Sequence, residues 1–340
     1  MAKQFTIEPN IRMKNLENIT CNLPWIESPF FEKILESKQL NSEQNEIAKF
    51  YNENGYVVLK NHFSAQHTDQ LVKDIFDKGF NGSSDEIAVD ENRIQDLWKV
   101  SNISKEVATD ERIMSLLKVL YGRNPIPFQT LNFKKGSTQA AHSDSIHFSS
   151  FPEKYMCGIW VALEDVDEEN GPLFYYPKSH KLPEVKFQHV RNTSGYATWN
   201  NYSEYERYME EYVKVIDQNK FIFKAKKGDV LIWSSNVIHG GSKIIDDNRT
   251  RLSQVTHVFF EDCIYYSPLY SSQITGEYAV KANLINMLDG RPVNQNYNGE
   301  ELAFSRIRNN NYLILNYFKS YSKLISFTFL LIHQVKKLFK

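Results

Sequence analysis

The chain has 340 residues, and 41% of them are hydrophobic, which is enough for one large buried core. Its 40 basic and 41 acidic residues nearly cancel to a formal net charge of -1, which argues against a nucleic-acid-binding protein. The three cysteines are too few and too widely spaced for a disulfide framework or a Cys-x-x-Cys zinc site; they are Cys21, Cys157 and Cys263. The N-terminus lacks the apolar core of a signal peptide, so we expect a cytoplasmic protein.

The first third of the sequence is predicted to be mainly helical. Prolines break residues 1–28, and we treat 1–40 as an N-terminal extension. Hydrophobic periodicity then predicts one strand over 55–60 and four helices, which cover 30–38, 42–53, 64–79 and 108–121. Residues 80–105 are polar, and we expect them to form a surface loop.

From Pro125 onwards the sequence changes to short β-type runs between turn signals. Asn170-Gly171 is typical of a hairpin turn, and the runs cover 127–134, 156–163, 172–176, 221–224, 229–233 and 252–260. Many short strands with glycine-containing turns predict an α+β fold with a mainly β core. The arrangement favoured is a cupin-like jelly roll with helices packed outside it.

An insert at 184–220 interrupts the strands and is rich in Tyr, Asn and Glu. Two structures are compatible with it: an amphipathic helix packed on the barrel, or a lid that closes over a substrate. Its aromatic side chains would serve either role; they are Tyr196, Trp199, Tyr202, Tyr205, Tyr208 and Tyr212.

The tail at 312–340 has the spacing of a basic amphipathic helix, with lysines on one side and leucines on the other. Polar residues interrupt its apolar run and argue against a transmembrane span; they are Asn316, Lys319 and Lys323. Such a helix could lie on a membrane surface, dock on its own domain or form a dimer seam. We therefore divide the chain into the extension, a catalytic domain at 41–310 and a C-terminal helix at 311–340, and no oligomeric state follows.

Three residues stand out as candidate metal ligands. His142 and Asp144 are two positions apart, so on a strand they point to the same side. His239 follows a strand-like run and precedes Gly240-Gly241, which would let the backbone pass close to bound ligands. Two imidazoles and one carboxylate bind Fe(II) on one face and leave the opposite positions open. The alternative for His142 and Asp144 is an ordinary surface loop.

Arg251 begins the next predicted strand and shares a face with Ser253. A guanidinium at this place can hold the far carboxylate of a dicarboxylic co-substrate through two parallel hydrogen bonds. Arg249 lies two residues earlier and would point to the same side of the strand, so either arginine could be the one that binds the carboxylate. The whole set predicts oxidation by an iron centre that uses O2 and 2-oxoglutarate. Two rivals are a non-catalytic jelly-roll binding module with a vestigial metal site, and a cupin-like metalloenzyme that does not use 2-oxoglutarate.

The order and spacing of these motifs resemble the phytanoyl-CoA dioxygenase family over roughly residues 40–265. The resemblance rests on the His239 and Arg251 runs together with the segments 142–148, 158–163, 170–173 and 177–180. It implies a double-stranded β-helix core, Fe(II), 2-oxoglutarate and O2, and hydroxylation of an unactivated carbon. It also implies that His142, Asp144 and His239 bind the metal and that Arg251 binds 2-oxoglutarate.

The resemblance places Trp160 beside 2-oxoglutarate, whereas from its strand position alone Trp160 could be an ordinary core aromatic. Gln129 and Asn132 lie on the preceding predicted strand and could also donate to the co-substrate. Lys178 and Gly241 depart from the family, which usually has Gly before the Ser-His pair and in some members a Ser after the second metal-binding His.

Asp144 also bears on the type of reaction. Members of the wider superfamily that halogenate lack this carboxylate, so its presence favours hydroxylation, while desaturation and epimerisation stay open. We expect a small-molecule substrate, which no motif identifies.

Overall fold

The structure is a computed structural model that describes residues 22–190, 202–216, 219–272, 276–281, 283–297, 300–301, 306–309 and 312–316. Five helices precede the main strands and two lie in the insert. The helices are α1 Phe31–Ser37, α2 Ser42–Asn54, α3 Ala65–Asp74, α4 Asn102–Ala108, α5 Glu111–Tyr121, α6 Phe187–Val190 and α7 Tyr202–Val215. No helix among these described ranges is long and apolar enough to cross a membrane.

The strands of the structure are short, as the turn signals predict. They are β1 Tyr56–Leu59, β2 Ala88–Val89, β3 Arg93–Gln95, β4 Pro125–Phe133, β5 Ser149–Phe151, β6 Met156–Ala162, β7 Leu173–Tyr175, β8 Phe221–Phe223, β9 Val230–Ser234, β10 His239–Gly241, β11 Ser253–Phe260, β12 Ile264–Ser272, β13 Glu277–Lys281, β14 Asn296–Tyr297, β15 Glu300–Glu301, β16 Arg306–Asn309 and β17 Tyr312–Asn316.

Antiparallel sheets pack around a shared interior and form the predicted jelly roll. The largest sheet has the order β1-β9-β6-β11-β4-β3-β2, and the others are β10-β7-β8, β16-β17-β13-β12-β5 and the pair β14-β15. Trp160 and Val255 of the large sheet share one apolar cluster with Leu173 and Phe223 of the three-stranded sheet. The two sheets therefore cover each other's inner faces, as in a sandwich.

Helices α1–α5 cover the outer face of the large sheet. Helix α2 begins at a capping box between Asn41 and Gln44 and ends where Gly55 adopts a left-handed conformation with φ 80°. Residues of α5, such as Leu117, share one buried cluster with Phe259 on β11. Trp25 belongs to the same cluster, so the described part of the predicted N-terminal extension is packed into the main core.

The predicted loop over 80–105 was partly wrong, because helix α4 lies in its C-terminal part. Ser101 caps this helix by accepting from the Ser104 N–H at 3.1 Å, and Val107 and Ala108 face the core. A seven-residue helix offers fewer than two full turns, which is too little for periodicity to reveal.

The predicted helix over 312–340 was wrong at its start. Tyr312–Asn316 is strand β17, which pairs antiparallel with β13. An apolar run this short has the same composition in a buried strand as in a helix, and only its neighbours decide between them. The rest of that predicted helix, 317–340, lies outside the described residues.

Candidate active site

The three predicted metal ligands converge at one end of the barrel. Asp144 Oδ1 lies 3.8 Å from His142 Nε2 and 3.7 Å from His239 Nε2. All three side chains are buried, and one ligand atom from each lies within 4.8 Å of the others. Such spacing suits a single ion bound at about 2.0–2.2 Å by nitrogen and carboxylate ligands. The donor set, two imidazoles and one carboxylate, fits Fe(II).

The two ligand-bearing segments are joined through their backbones. His142 N–H donates to the His239 carbonyl at 2.9 Å, and His239 N–H donates back to the His142 carbonyl at the same distance. The expected strand from His142 to Asp144 is only this single bridge, because Asp144 begins a tight helical turn that ends at Ile146. The turn, rather than strand parity, brings the carboxylate back beneath the two imidazoles.

Hydrogen bonds to carbonyl groups fix which nitrogen of each imidazole can bind metal. His142 Nδ1 lies 2.9 Å from the Ala140 carbonyl, and His239 Nδ1 lies 2.9 Å from the Val237 carbonyl. A carbonyl oxygen only accepts, so each Nδ1 carries the proton. Each Nε2 therefore presents its lone pair to the space that it shares with Asp144 Oδ1, where a metal ion would be bound. Burial lowers the pKa of both rings to about 4, which keeps them neutral and ready to ligate near neutral pH.

A tryptophan orients the carboxylate of Asp144. Trp233 Nε1 donates to Asp144 Oδ2 at 2.8 Å, which leaves Oδ1 turned toward the imidazoles. Gly158 on the neighbouring strand makes room for this ring, because a Cβ atom there would lie 2.4 Å from two of its carbons. Neither residue was recognised from the sequence, since a tryptophan and a glycine within predicted strands carry no signal for a metal site.

The inner face of the large sheet forms the floor of a cavity of about 900 Å³ that contains the triad. Paired residues on adjacent strands cross this floor in rows. One row is Trp233, Gly158, His257 and Gln129, and the next is Leu231, Trp160, Val255 and Leu131. Because Trp233 holds Asp144, the metal ligands lie over the first of these rows.

Arg251 lies beyond the second row, at one end of the cavity. It is 1% exposed, and its guanidinium carbon lies 5.6 Å from the centre of the Trp160 ring. Among the described atoms, Arg251 Nε and Trp160 Nε1 are buried donors without a hydrogen-bond partner. Such donors are costly to bury unless a ligand accepts from them. Their position, beside the triad, therefore suits an anionic co-substrate.

The two arginines that the sequence left as alternatives differ in their surroundings. Arg249 is partly exposed and is already paired, with Nη1 at 2.8 Å from Asp167 and 3.3 Å from Glu169. Arg251 Nη1 donates to Ser253 Oγ at 3.2 Å, and no carboxylate of the described residues pairs with it. Arg251 is thus the guanidinium that is free to bind a carboxylate inside the cavity.

The remaining predicted co-substrate ligands divide between the two faces of β4. Gln129 faces the cavity, where its Oε1 lies 3.0 Å from His257 Nδ1. Asn132 faces away and donates to Gln254 Oε1 at 3.0 Å, so its predicted contact with the co-substrate was wrong. Asn132 is three positions after Gln129, and residues at an odd offset along a strand point to opposite faces.

The loop 137–139 explains why Gly240 and Gly241 lack side chains. A Cβ at Gly241 would lie 2.8 Å from Ser137 Oγ, and one at Gly240 would lie 2.7 Å from the Gln139 carbonyl. Ser137 lines the cavity and its hydroxyl fills the space that a serine side chain at 241 would need. The glycines therefore admit a protein segment rather than the bound ligand itself.

The described part of the insert packs on the turn that carries the metal ligands. Tyr205, on α7, is fully buried and its hydroxyl accepts from the Ser143 N–H at 3.2 Å. The Tyr202 hydroxyl lies 3.0 Å from His147 Nε2. These contacts favour the packed helix over the mobile lid for 202–215, whereas Tyr196 and Trp199 lie outside the described residues.

One cavity residue that sequence reasoning missed is Lys281, on β13. Its ammonium lies 4.7 Å from the centre of the Phe128 ring and 4.6 Å from that of Phe148. The strands β12 and β13 that deliver it were not predicted, because Ser267 and Pro268 interrupt the apolar pattern of β12.

The sequence matches a family model at residues 51–250, and that model is described as phytanoyl-CoA dioxygenase. The peroxisomal phytanoyl-CoA dioxygenase of Rattus norvegicus is 25% identical over 272 residues, which cover 72% of this chain and 75% of the rat protein. The ectoine dioxygenase of Stutzerimonas stutzeri is 25% identical over 274 residues, or 73% of this chain and 87% of that protein.

Solved structures share the fold. The non-heme α-ketoglutarate-dependent epimerase SnoN of nogalamycin biosynthesis superimposes with a TM-score of 0.52 at 19% identity, covering 66% of this chain and 85% of SnoN. EctD of S. alaskensis, solved with 2-oxoglutarate and 5-hydroxyectoine, gives 0.51 at 18% identity, covering 68% of this chain and 80% of EctD. The family match spans more than half of the chain and includes the whole triad. The chain therefore belongs to the phytanoyl-CoA dioxygenase family and, with it, to the Fe(II)- and 2-oxoglutarate-dependent oxygenases.

Proposed function

We propose that this enzyme hydroxylates an unactivated carbon of a small-molecule substrate, with Fe(II) held by His142, Asp144 and His239 and 2-oxoglutarate held by Arg251. The observation that carries the proposal is the pair of buried, unpartnered donors beside the triad, Arg251 Nε and Trp160 Nε1. A carboxylate at that place would satisfy both donors and neutralise the guanidinium.

Iron bound at the triad would supply the oxidising chemistry, in which O2 is activated at the expense of 2-oxoglutarate. The residues of this chain do the rest. The two Nδ1 protons keep the imidazoles in the ligating tautomer, and the Trp233 donor fixes the free oxygen of Asp144. Trp160 and Arg251 orient the co-substrate, while the Ser253 hydroxyl positions the guanidinium. The walls of the cavity bring the substrate carbon to the metal face and limit access of water.

Two observations weigh against the rivals. A binding module with a vestigial metal site would have no need of Trp233 and Gly158 to orient Asp144. A metalloenzyme without 2-oxoglutarate would have no use for the buried, unpaired guanidinium of Arg251. The presence of Asp144 supports hydroxylation over halogenation. SnoN is an epimerase with the same fold, so the fold alone does not decide between hydroxylation and epimerisation.

We further propose that 41–310 forms the catalytic unit and that 317–340 is separable from catalysis. The first part is supported by the positions of the triad, Arg251 and Lys281, all of which lie between these bounds. The described residues before 41 add packing to the same core, through Trp25 and Phe31.

The decisive experiment measures iron binding and 2-oxoglutarate-dependent succinate formation on the same preparations. The wild type is expected to bind one Fe(II) per chain and to form succinate. His142→Ala and Asp144→Ala should lose both properties while keeping the circular dichroism spectrum of the wild type. His189→Ala, on the exposed end of α6, is the matched control and should keep both. A wild type that binds iron without consuming 2-oxoglutarate would refute the proposal.

A further inference from the structure

Lys281 is a cation of the cavity for which the proposed reaction has no use. Its side chain is half-buried, and the ammonium lies against the faces of Phe128 and Phe148. Within the described ranges, no carboxylate lies close enough to Lys281 to form an ion pair. Lysine is seldom buried without a partner, because desolvation of an ammonium is costly.

Apart from Arg251, which we assign to 2-oxoglutarate, the other charged groups of the cavity are already engaged. Asp96 is the acidic group that favours the charged form of Lys281, but it pairs with Lys99 at 3.5 Å and accepts from Trp98 Nε1 at 3.3 Å. Asp144 belongs to the metal site. The imidazoles of His147 and His257 also face this end, and burial lowers their pKa values to about 3 and about 4, so both rings are neutral near neutral pH and add no charge beside Lys281. Burial likewise lowers the pKa of Lys281 to about 8, and a bound anion would offset that desolvation.

Lys281 and Arg251 lie toward opposite ends of the cavity. Arg251 is next to the Phe133 ring at 5.7 Å, whereas Lys281 is next to Phe128, five residues back along β4. A bulge in β4 at Phe128 lets both rings line the cavity, and at about 3.3 Å per residue they are anchored roughly 15 Å apart. The row that contains Trp233, over which the triad lies, falls between them because Gln129 belongs to it. A molecule as short as 2-oxoglutarate, held at Arg251, therefore leaves Lys281 for a second ligand.

The surface between Lys281 and the triad includes several apolar side chains. Phe148 follows the metal-binding turn directly, and its ring lies 4.8 Å from that of His257. Leu269 and Leu284 line the same region. A ligand that reaches from Lys281 to the metal would lie along these rings and aliphatic side chains, beside the imidazole of His257.

Resting on the function proposed above, we propose that the substrate is a small carboxylate, anchored by Lys281, whose apolar part lies along Phe128 and Phe148 toward the triad. One unpaired cation neutralises one negative charge, which suits a carboxylate better than a phosphate dianion. Lys281 acts here as a specificity-determining residue and takes no part in the oxidation.

The test is calorimetric binding to the protein loaded with Fe(II) and 2-oxoglutarate under nitrogen. The probes are butyrate, octanoate and dodecanoate, each compared with the alcohol of the same length. The wild type should prefer the carboxylate, and Lys281→Met should weaken carboxylate binding by about 30-fold or more while leaving the alcohol unaffected. Lys281→Arg should restore most of the loss. Lys99→Met is the matched control, because that cation is already paired, and it should change binding less than about threefold.

Each other outcome overturns the proposal. Unchanged carboxylate binding by Lys281→Met would show that the ammonium does not anchor the ligand. Tighter, Lys281-dependent binding of octyl phosphate would make the ligand a phosphate. Failure of every carboxylate to bind the wild type would refute the substrate class. A separate titration with 2-oxoglutarate distinguishes failure of this substrate proposal from failure of the proposed function. Lys281→Met should leave the affinity for 2-oxoglutarate unchanged. Only a wild type that fails to bind 2-oxoglutarate would count against the proposed function.

Discussion

Replacement of Arg251 by glutamine is expected to weaken 2-oxoglutarate binding about a hundredfold while leaving iron binding intact. Burial lowers the pKa of this guanidinium well below its ordinary value, to about 10, yet the group stays charged at neutral pH. That shift corresponds to roughly 3 kcal/mol of desolvation that a bound carboxylate can offset. Measured losses for one partner of a buried charged pair, about 2–5 kcal/mol, bracket this figure. A factor of ten in affinity for each 1.4 kcal/mol gives about a hundredfold.

Two further variants at this site separate charge from shape. Arg251→Lys keeps the positive charge but lacks the planar fork and the Nε donor that is unpartnered in the structure. It should therefore bind 2-oxoglutarate better than Arg251→Gln and worse than the wild type. Arg249→Gln is the matched control, because its partly exposed pairs with Asp167 and Glu169 are worth at most about 1 kcal/mol to stability.

The assay is anaerobic titration of 2-oxoglutarate into the iron-loaded protein, with iron content measured on each variant. Wild-type affinity in Arg251→Gln would refute the assignment of the co-substrate site. A large loss of 2-oxoglutarate affinity in Arg249→Gln, with none in Arg251→Gln, would show that Arg249 is the arginine that binds the co-substrate.

Three other predictions follow from the site and the tail. Gly158→Ala should push the Trp233 ring away from Asp144 and weaken Fe(II) binding by about tenfold or more. Ala162→Gly, on the same strand, is the control and should leave Fe(II) binding unchanged, and metal titration of both variants measures the difference. The metal-free protein should lose stability as pH falls from about 6.5 to about 4, because the folded state holds four imidazoles neutral that the unfolded state protonates. Urea unfolding at several pH values measures this effect, and constant stability over that window would contradict the assignment to His142, His147, His239 and His257. If 317–340 lies on anionic membranes, a chain ending after Asn316 should lose salt-sensitive vesicle binding in co-sedimentation and keep 2-oxoglutarate turnover.

The sequence was most informative where a function depends on residue types at fixed spacing. The order His142, Asp144, His239 and Arg251 predicted side chains that the structure brings to one cavity, because few chemistries need two imidazoles, a carboxylate and a nearby guanidinium together. The geometry that joins them was not predicted correctly. The carboxylate is placed by a helical turn, and such a turn depends on backbone contacts between distant segments, such as Ser145 N–H with the Ser235 carbonyl at 3.1 Å.

The sequence analysis did not recognise that Gln129 and Asn132 lie on opposite faces of their strand. Gln129 and Asn132 looked equivalent in the sequence, but β4 turns them to opposite sides and Asn132 hydrogen-bonds Gln254 beneath α4. The supporting residues Trp233 and Gly158 gave no signal either. Their role comes from being paired across adjacent strands, and that pairing is a property of the sheet register rather than of either segment.

Both cations to which we assign ligands, Arg251 and Lys281, lie beyond the residues that match the family model. The family match ends at residue 250, after all three metal ligands and directly before Arg251. Lys281 lies beyond it, on a strand that also pairs with β17 from the C-terminal part of the chain. The three metal ligands therefore lie within the match, whereas Arg251 follows it directly and the anchor that we propose for the substrate lies on a later strand. Because the rows of the sheet place this anchor on the far side of the metal from Arg251, a change in β12 or β13 could alter the substrate without disturbing iron or 2-oxoglutarate. The matched residues thus include the metal ligands and the rings of Phe128 and Phe148, but not the lysine that we propose as the anchor of the substrate.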